Sequence, residues 1–407
     1  MGGDEYYHRI FDSLWEIEHL KEWEGLSVTC REKNDNQFNR REWIKIAGLA
    51  TAGGALGVPG TRPSRAADTG KLKINIAGYK LDRVEALIDG RVEVEGCDLE
   101  FEISKIGEMN SHILHGSQTR EVTEVGLHPF MLAYANDGFR DYTLLPVFPQ
   151  RIFRHKSIFV RTDRGIEKAE DLRGKRVATA GYSSSSLTWV RGILQHEHGV
   201  KPTDVEWIIA SEDSSAAVVG APSKQENVLP EGLSYQAGPA GKDESDMLAD
   251  GDVDALFHAV EPRAYIEGHE MVARLYPDYR KTEQAYYSRT GIFPIMHALA
   301  IRRDVAEKHP WLLKSVFNAY SQAKELIYQF LRDEAWYKLS LPWAAQEFEE
   351  TRAAMGDNYW SYGFTPNNRK TLEALFQYSY EQGLASRRLT IEELFHPSTL
   401  ELKENGA

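Results

Sequence analysis

Four basic side chains fall within six positions at residues 151–156, and they form the densest group in the chain that could do chemistry. They are Arg151, Arg154, His155 and Lys156. The planar guanidinium of arginine matches a carboxylate bidentately, and histidine exchanges protons near neutral pH. The group therefore predicts a site for a small organic anion beside a proton donor. The alternative is an exposed basic loop in which His155 caps a helix or strand.

A second histidine, His297, follows the stretch TGIFPIM at residues 290–296. It could face His155 across a cleft and take part in proton transfer, or it could be a core residue beside a strand. Arg289 comes directly before this stretch and is a second candidate for holding a carboxylate.

Other candidates lie where strands are predicted to end and helices to begin. Residues 182–188 read YSSSSLT, so Ser183 and Ser184 open a predicted helix that carries Arg191. Hydroxyl groups and free N–H groups there suit an anion, although one serine could act only as an N-cap. Further candidates after predicted strands are Tyr79, Arg83, His128 and His258.

The spacing of potential metal ligands and nucleophiles predicts neither a metal site nor a nucleophilic catalytic site. His112 and His115 are three positions apart, but no HExxH motif or cysteine accompanies them. The chain also lacks a G-x-S-x-G motif. Its two cysteines, Cys30 and Cys97, cannot form a disulfide framework.

These candidates are positioned by an alternation of strands and helices. Residues 73–77 alternate like a strand, residues 92–94, 99–103 and 144–148 are further strand candidates, and the chain is nearly all helix from about residue 310. Residues 211–243 predict an irregular connection with one short strand. Strand–helix alternation indicates an α/β fold with helices on both faces of largely parallel sheets.

Two further stretches resemble the second lobe of a type II periplasmic-binding-protein fold. Residues 171–177 read DLRGKRV and residues 247–255 read MLADGDVDA. The resemblance implies two α/β lobes with mixed sheets and a ligand cleft between them. We expect lobe 1 to comprise residues 67–152 and 298–407, and lobe 2 residues 153–297.

Longer motifs resemble the 4,5-dihydroxyphthalate decarboxylase family, a branch of that fold, over roughly residues 72–400. They are LPVFPQRIFRH at 145–155, WVRGIL at 189–194, LYPDYR at 275–280, QAYY at 284–287, TGIFPIMH at 290–297 and YSYEQGL at 378–384. The resemblance implies a cofactor-independent carbon–carbon lyase acting on an aromatic dicarboxylate. His155 would lead the proton transfer with His297, while Arg151, Arg154 and Arg289 would hold carboxylates.

The N-terminal residues favour a second hypothesis. Residues 39–45 read NRREWIK and precede an apolar stretch from Ile46 to Val58 and the small residues of SRAA at 64–67. This order resembles a twin-arginine export signal, although a Gly/Ala-rich linker or a short buried helix would also fit. We treat residues 1–66 as an extension that contains this signal. An exported protein with this fold could instead be a receptor for an aromatic or other organic acid that works with a membrane permease.

The composition is compatible with either an enzyme or a receptor that acts on a small molecule. The 407 residues carry a formal net charge of −13 and are 42% hydrophobic. An acidic protein is a poor partner for nucleic acid, whose phosphates require a basic face. The two resemblances imply as partners a small anionic aromatic ligand and the twin-arginine export machinery, which would place the mature protein in the periplasm. If the signal is not used, the protein would remain cytoplasmic.

Overall fold

A computed structural model describes residues 70–404, so the predicted export signal lies outside the described residues. Two β-sheets organise this part of the chain. The strands are β1 (Leu72–Gly78), β2 (Cys97–Ile103), β3 (Val122–Gly126), β4 (Tyr142–Leu145), β5 (Ile158–Arg161), β6 (Arg176–Thr179), β7 (Glu206–Ile209), β8 (Tyr235–Ala237), β9 (Ala255–Phe257), β10 (Val272–Arg274) and β11 (His297–Arg302).

Helices flank both sheets. They are α1 (Asp82–Ile88), α2 (Ile106–Leu114), α3 (Leu127–Asn136), α4 (Ser185–His198), α5 (Ala216–Val219), α6 (Glu244–Asp250), α7 (Arg263–Ile266), α8 (Tyr279–Thr290), α9 (Arg303–Lys308), α10 (Pro310–Asp333), α11 (Ala335–Lys338), α12 (Ala344–Met355), α13 (Pro366–Glu381) and α14 (Ile391–Leu394). No helix within residues 70–404 combines the length and the apolar character needed to cross a bilayer.

Both sheets are mixed. The first sheet has the order β2-β1-β3-β11-β4, with β11 antiparallel to β3 and β4. The second sheet has the order β10-β5-β9-β6-β7-β8, with β9, β6, β7 and β8 parallel. The α/β fold with two mixed sheets and flanking helices, which the resemblance implied, is confirmed.

The chain passes between the sheets twice. It leaves the first sheet after β4 through residues 146–157 and returns to it through residues 291–296. These two segments, which we call the crossovers, are hydrogen-bonded to each other: the Ile152 N–H donates to the Pro294 carbonyl at 3.2 Å, and the Met296 N–H donates to the Gln150 carbonyl at 2.9 Å. The orientation of the sheets therefore depends on a short antiparallel contact.

The C-terminal helices reach both sheets. Leu144 of β4 forms a bridge with Phe395, while α13 packs on α4 through Tyr378. A β-carbon added to Gly192 of α4 would lie 2.0 Å from the Tyr378 ring, so this helix crossing requires a glycine.

Two strand predictions were inaccurate. Residues 92–94 lie in the irregular connection from α1 to β2, where Val92 and Val94 are buried and have no strand partner among the described residues. The strand predicted over residues 144–148 ends at Leu145, because the chain turns into the first crossover at Pro146. The expected irregular connection contains one short strand, β8, as predicted.

Glu283 of α8 allows a test of how the second lobe packs on the first crossover. Its Oε1 accepts the Lys156 N–H at 3.3 Å, and burial raises its pKa to about 7. The folded protein therefore binds this proton more tightly than the unfolded chain. We expect the free energy of unfolding to fall between about pH 4.5 and pH 7 by on the order of 3 kcal/mol from this group. In Glu283→Gln that part of the pH dependence should disappear in denaturant titrations, whereas the exposed control Glu373→Gln should retain it.

Ser184 caps α4 and allows a second test. Its hydroxyl accepts the Leu187 N–H at 3.3 Å. Ser184→Ala should lower the free energy of unfolding by about 1 kcal/mol, because that N–H loses its acceptor. Ser186→Ala is the matched control, since Ser186 Oγ only approaches the Met296 sulfur at 3.6 Å. Equal losses in the two variants would show that the cap contributes nothing.

Candidate active site

A cavity of about 250 Å³ lies where the two sheets face each other. It is lined by residues that follow the carboxyl ends of β1, β3, β6, β7 and β9, and by the first residue of the antiparallel strand β11. Ligands of open α/β sheets bind at these strand ends. Five of the predicted site residues line it: Tyr79, Arg154, Ser184, His258 and His297.

On the first-sheet wall, a carboxylate holds His297. Glu124 lies on β3 beside β11, is 1% exposed, and its Oε1 is 2.6 Å from His297 Nδ1. The other carboxylate oxygen accepts the Tyr79 N–H at 3.1 Å, and the Tyr79 ring stacks on His297 with centroids 6.0 Å apart. A carboxylate at Nδ1 keeps the proton on that nitrogen, so Nε2 is the ring atom that can exchange a proton with the cavity.

Arg154 supplies a buried positive charge. Only 3% of it is exposed, and its guanidinium donates to the Met296 sulfur at 2.9 and 3.2 Å and to the Ala259 carbonyl at 2.8 Å. Burial lowers its pKa to about 9, and the charge of Glu283 offsets this effect only in part. A bound anion would relieve that desolvation cost.

The N-terminus of α4 provides further donors for an anion. Ser184, Ser185 and Ser186 line the cavity. The first N–H groups of a helix have no acceptor within the helix, and the N-terminal end of the helix dipole favours negative charge. Met296 Sδ contacts both Ser186 and Arg154, so the two sources of positive potential are neighbours.

On the second-sheet wall, His258 is paired with a buried acid. Its Nε2 is 2.6 Å from Glu244 Oε1, and its Nδ1 is 2.7 Å from the Val260 carbonyl. Burial alone would lower the pKa of His258, but the hydrogen bond and the charge of Glu244 outweigh burial and raise it. Burial would likewise raise the pKa of Glu244, and the contacts with His258 and Ser214 lower it instead. Asp213 and Glu226 place two further carboxylates on this side of the cavity.

Three predicted residues lie directly behind the lining. Arg83 donates to the Pro149 carbonyl at 2.6 Å and to Gln150 Oε1 at 3.1 Å, and so holds the first crossover. His128 is buried between the Ser183 carbonyl and Ser379 Oγ, and burial lowers its pKa to about 3. The Ser183 hydroxyl donates to the Gln225 carbonyl at 2.6 Å. All three position the cavity wall without lining it.

The structure does not bring His155 to the cavity. Its ring packs between Tyr276 and Tyr286, with centroids 5.6 and 5.1 Å away. Only 3% of the residue is exposed, and burial lowers its pKa to about 4. A neutral ring in this environment fits packing against α8, and of the two histidines only His297 lines the cavity.

Three arginines also lie elsewhere. Arg151 is buried and donates to Asn368 Oδ1 at 2.9 Å and to the Phe293 carbonyl at 2.8 Å, tying the crossovers to α13. Arg191 is buried over the Tyr182 ring and donates to a glutamine of the C-terminal region. Arg289 is on the surface, where it pairs with Glu197. Among the predicted arginines of the described chain, only Arg154 therefore lines the cavity.

The sequence analysis missed Glu124, Glu244 and Asp213. Glu124 interrupts the otherwise uncharged strand VTEVG, and an acid in a fully buried strand is uncommon enough to have marked it. Asp213 lies in the irregular connection and Glu244 opens the helix that follows it, so no signal in the sequence brings these two acids to His258.

Comparisons with known proteins agree with this description. A family described as NMT1/THI5 like matches residues 152–221. The chain is 35% identical over 331 residues to a 4,5-dihydroxyphthalate decarboxylase of Comamonas testosteroni, covering 81% of this chain and 98% of that protein. It is 33% identical over 217 residues to a 4,5-dihydroxyphthalate decarboxylase of Pseudomonas putida, covering 53% of this chain and 82% of that protein.

Among solved structures, the chain is similar to the periplasmic aliphatic sulphonate binding protein SsuA of Escherichia coli, with 17% identity and a TM-score of 0.45 over 80% of this chain and 97% of that one. The similarity to the Comamonas protein spans nearly the whole of that relative and includes both crossovers. The chain therefore belongs to the 4,5-dihydroxyphthalate decarboxylase family.

Proposed function

We propose that this protein decarboxylates an aromatic dicarboxylate of the 4,5-dihydroxyphthalate class in the cavity between its sheets. The observation that carries the proposal is the Glu124–His297 pair, which presents a ring nitrogen to a cavity that also holds a buried arginine. The family membership supplies the substrate class, and the cavity supplies groups of the kinds that this substrate requires.

Binding would use the positive end of the cavity. One carboxylate of the substrate would lie against Arg154 and the N–H groups at the start of α4, whose charge and dipole both favour an anion. The two ring hydroxyls would then be able to donate to Asp213 and Glu226, the carboxylates on the second-sheet side. When the ring is held at both ends in this way, its second carboxylate would lie beside the first-sheet wall.

The reaction consists of proton transfers and the cleavage of one carbon–carbon bond. Ionisation of the hydroxyl para to the departing carboxylate pushes electron density onto the carbon that carries this group. His297 would donate its Nε2 proton to that carbon, the bond to the carboxylate would break, and its electron pair would return to the ring as CO₂ leaves. The hydroxyl proton would pass to a carboxylate on the second-sheet side and return to the phenolate once CO₂ has left. His297 would regain its proton from water, so the net reaction consumes one proton and replaces CO₂⁻ by H. Glu124 would hold the His297 ring, through Nδ1, in the orientation that delivers the proton.

The first test is turnover of 4,5-dihydroxyphthalate. We expect wild-type protein to release CO₂, and His297→Gln and Glu124→Gln each to lower kcat by about 10²-fold or more, the range for loss of general acid catalysis. The matched controls are His269→Gln, an exposed histidine, and Glu100→Gln, an exposed acid on β2. Wild-type activity in His297→Gln, with an unchanged circular dichroism spectrum, would remove His297 from the mechanism.

A second candidate function is an exported receptor for an aromatic or other organic acid, which would deliver it to a membrane permease. The observation that favours it is the export signal predicted over residues 39–67. The two functions differ in one readout: a receptor binds 4,5-dihydroxyphthalate or a related acid in calorimetry and releases no CO₂.

We also propose that the twin-arginine machinery exports the protein to the periplasm. In a bacterial host, replacing Arg40 and Arg41 together by lysine should abolish the mature form in periplasmic fractions, since these signals are read by a receptor. Replacing Arg62 and Arg65 by lysine is the control and should leave export intact. Equal amounts of periplasmic protein from both double variants would contradict this route.

A further inference from the structure

We propose that Asp213, Glu244 and His258 form a binding site for one divalent transition-metal ion, such as Zn²⁺ or Mn²⁺, on the second-sheet wall of the cavity. The three residues come from separate elements: the loop after β7, the first position of α6 and the residue after β9. They are far apart in the sequence, which is why ligand spacing along the chain predicted no metal site.

Their potential ligand atoms converge on one point. One oxygen or nitrogen of each residue lies within 4.8 Å of the others. His258 Nε2 is 2.6 Å from Glu244 Oε1 and 4.0 Å from Asp213 Oδ1. Ser214 Oγ bonds to the same Glu244 oxygen and is 3.3 Å from His258 Nε2. Three side chains of the types that bind metals, and a hydroxyl, thus face each other.

Two independent features indicate that an ion belongs there. His258 Nδ1 contacts the Val260 carbonyl, which places the proton on Nδ1 and directs Nε2 toward the carboxylates, as in metal-bound histidines. Glu244 is 0% exposed, yet its second oxygen, Oε2, has no hydrogen-bond partner in the described structure. A buried carboxylate oxygen without a partner is costly, and coordination would satisfy it.

The surroundings of the three residues suit a metal site with an open coordination position rather than one whose positions are all filled by protein side chains. Asp213 and His258 line the cavity, so an ion can enter and keep a coordination position open toward it. Ser215 holds the Asp213 carboxylate through its N–H at 2.8 Å and its hydroxyl at 2.6 Å. One imidazole and two carboxylates favour Zn²⁺, Mn²⁺ or Fe²⁺ over the all-oxygen sites of Mg²⁺ and Ca²⁺.

The ligand class at the open position follows from the proposed function, on which this step rests. Two adjacent hydroxyls on an aromatic ring form a bidentate chelator for such an ion. The site would therefore select substrates with vicinal hydroxyls, at the end of the cavity where Asp213 and Glu226 lie.

Metal binding can be tested without turnover. The full chain is treated with EDTA, dialysed and titrated with Zn²⁺ and, separately, Mn²⁺ by calorimetry, with the bound metal counted by mass spectrometry. We expect one ion per chain, and at least a tenfold weaker affinity in Glu244→Gln and in His258→Gln. Glu212→Gln, an exposed acid beside the site, is the matched control and should bind as the wild type does.

Because Glu244 is fully buried, its replacement could impair folding, so Asp213→Asn, at a half-buried position, provides a second variant. With Co²⁺ as the probe, the wild type should show a d–d absorption band that Asp213→Asn alters. Absence of stoichiometric binding, or equal affinity in wild type and all site variants, would overturn the proposal. Metal binding without CO₂ release would contradict only the proposed function, and CO₂ release by metal-free protein that binds no ion would contradict only the metal site.

Discussion

The contact between the two crossovers is the constraint on which the rest of the structure depends. Residues 146–157 and 291–296 are hydrogen-bonded to each other, with Arg151 opposite Ile295, and they are the chain's two passages between the sheets. The same short stretches carry Gln150, Arg154 and Met296 into the cavity, and the second one ends at His297. The geometry of the cavity is therefore set where the lobes are joined, and Arg151 stabilises that junction from behind through Asn368.

Each wall of the cavity carries a histidine held by a buried acid. His297 is paired with Glu124 on the first sheet, and His258 is paired with Glu244 on the second. Burying a histidine–carboxylate pair costs desolvation free energy that apolar packing would avoid, so such pairs contribute little to the stability of the fold. Because the two pairs lie at opposite walls of one cavity, we propose that each has a chemical role instead: proton transfer on the first wall, and interaction with the hydroxyl end of a ligand on the second.

The architecture could be predicted from the sequence because strand–helix alternation and the family motifs both depend on residues that are close together in the chain. Five of the predicted site residues line the cavity: Tyr79, Ser184 and His258 were sought where strands end and helices begin, whereas Arg154 came from the basic cluster and His297 from the stretch at 290–296. His155 and Arg151 were predicted as site residues but do not line the cavity. A cluster of basic residues in the sequence does not show which side chains point into a cleft and which pack behind it. Glu124 could have been noticed as an acid in an apolar strand, but the pairing of each acid with its histidine could not be predicted, because the fold brings these residues together from distant positions in the chain.

The central claim is that His297 delivers a proton to the ring carbon that loses its carboxylate. The most direct measurement is proton NMR of the product formed from 4,5-dihydroxyphthalate in D₂O. The account predicts one deuterium at that carbon, formed at the rate of CO₂ release, with both rates falling together in His297→Gln while the fold is retained. Deuterated product formed at the wild-type rate by His297→Gln, or no product from the wild-type protein, would contradict it.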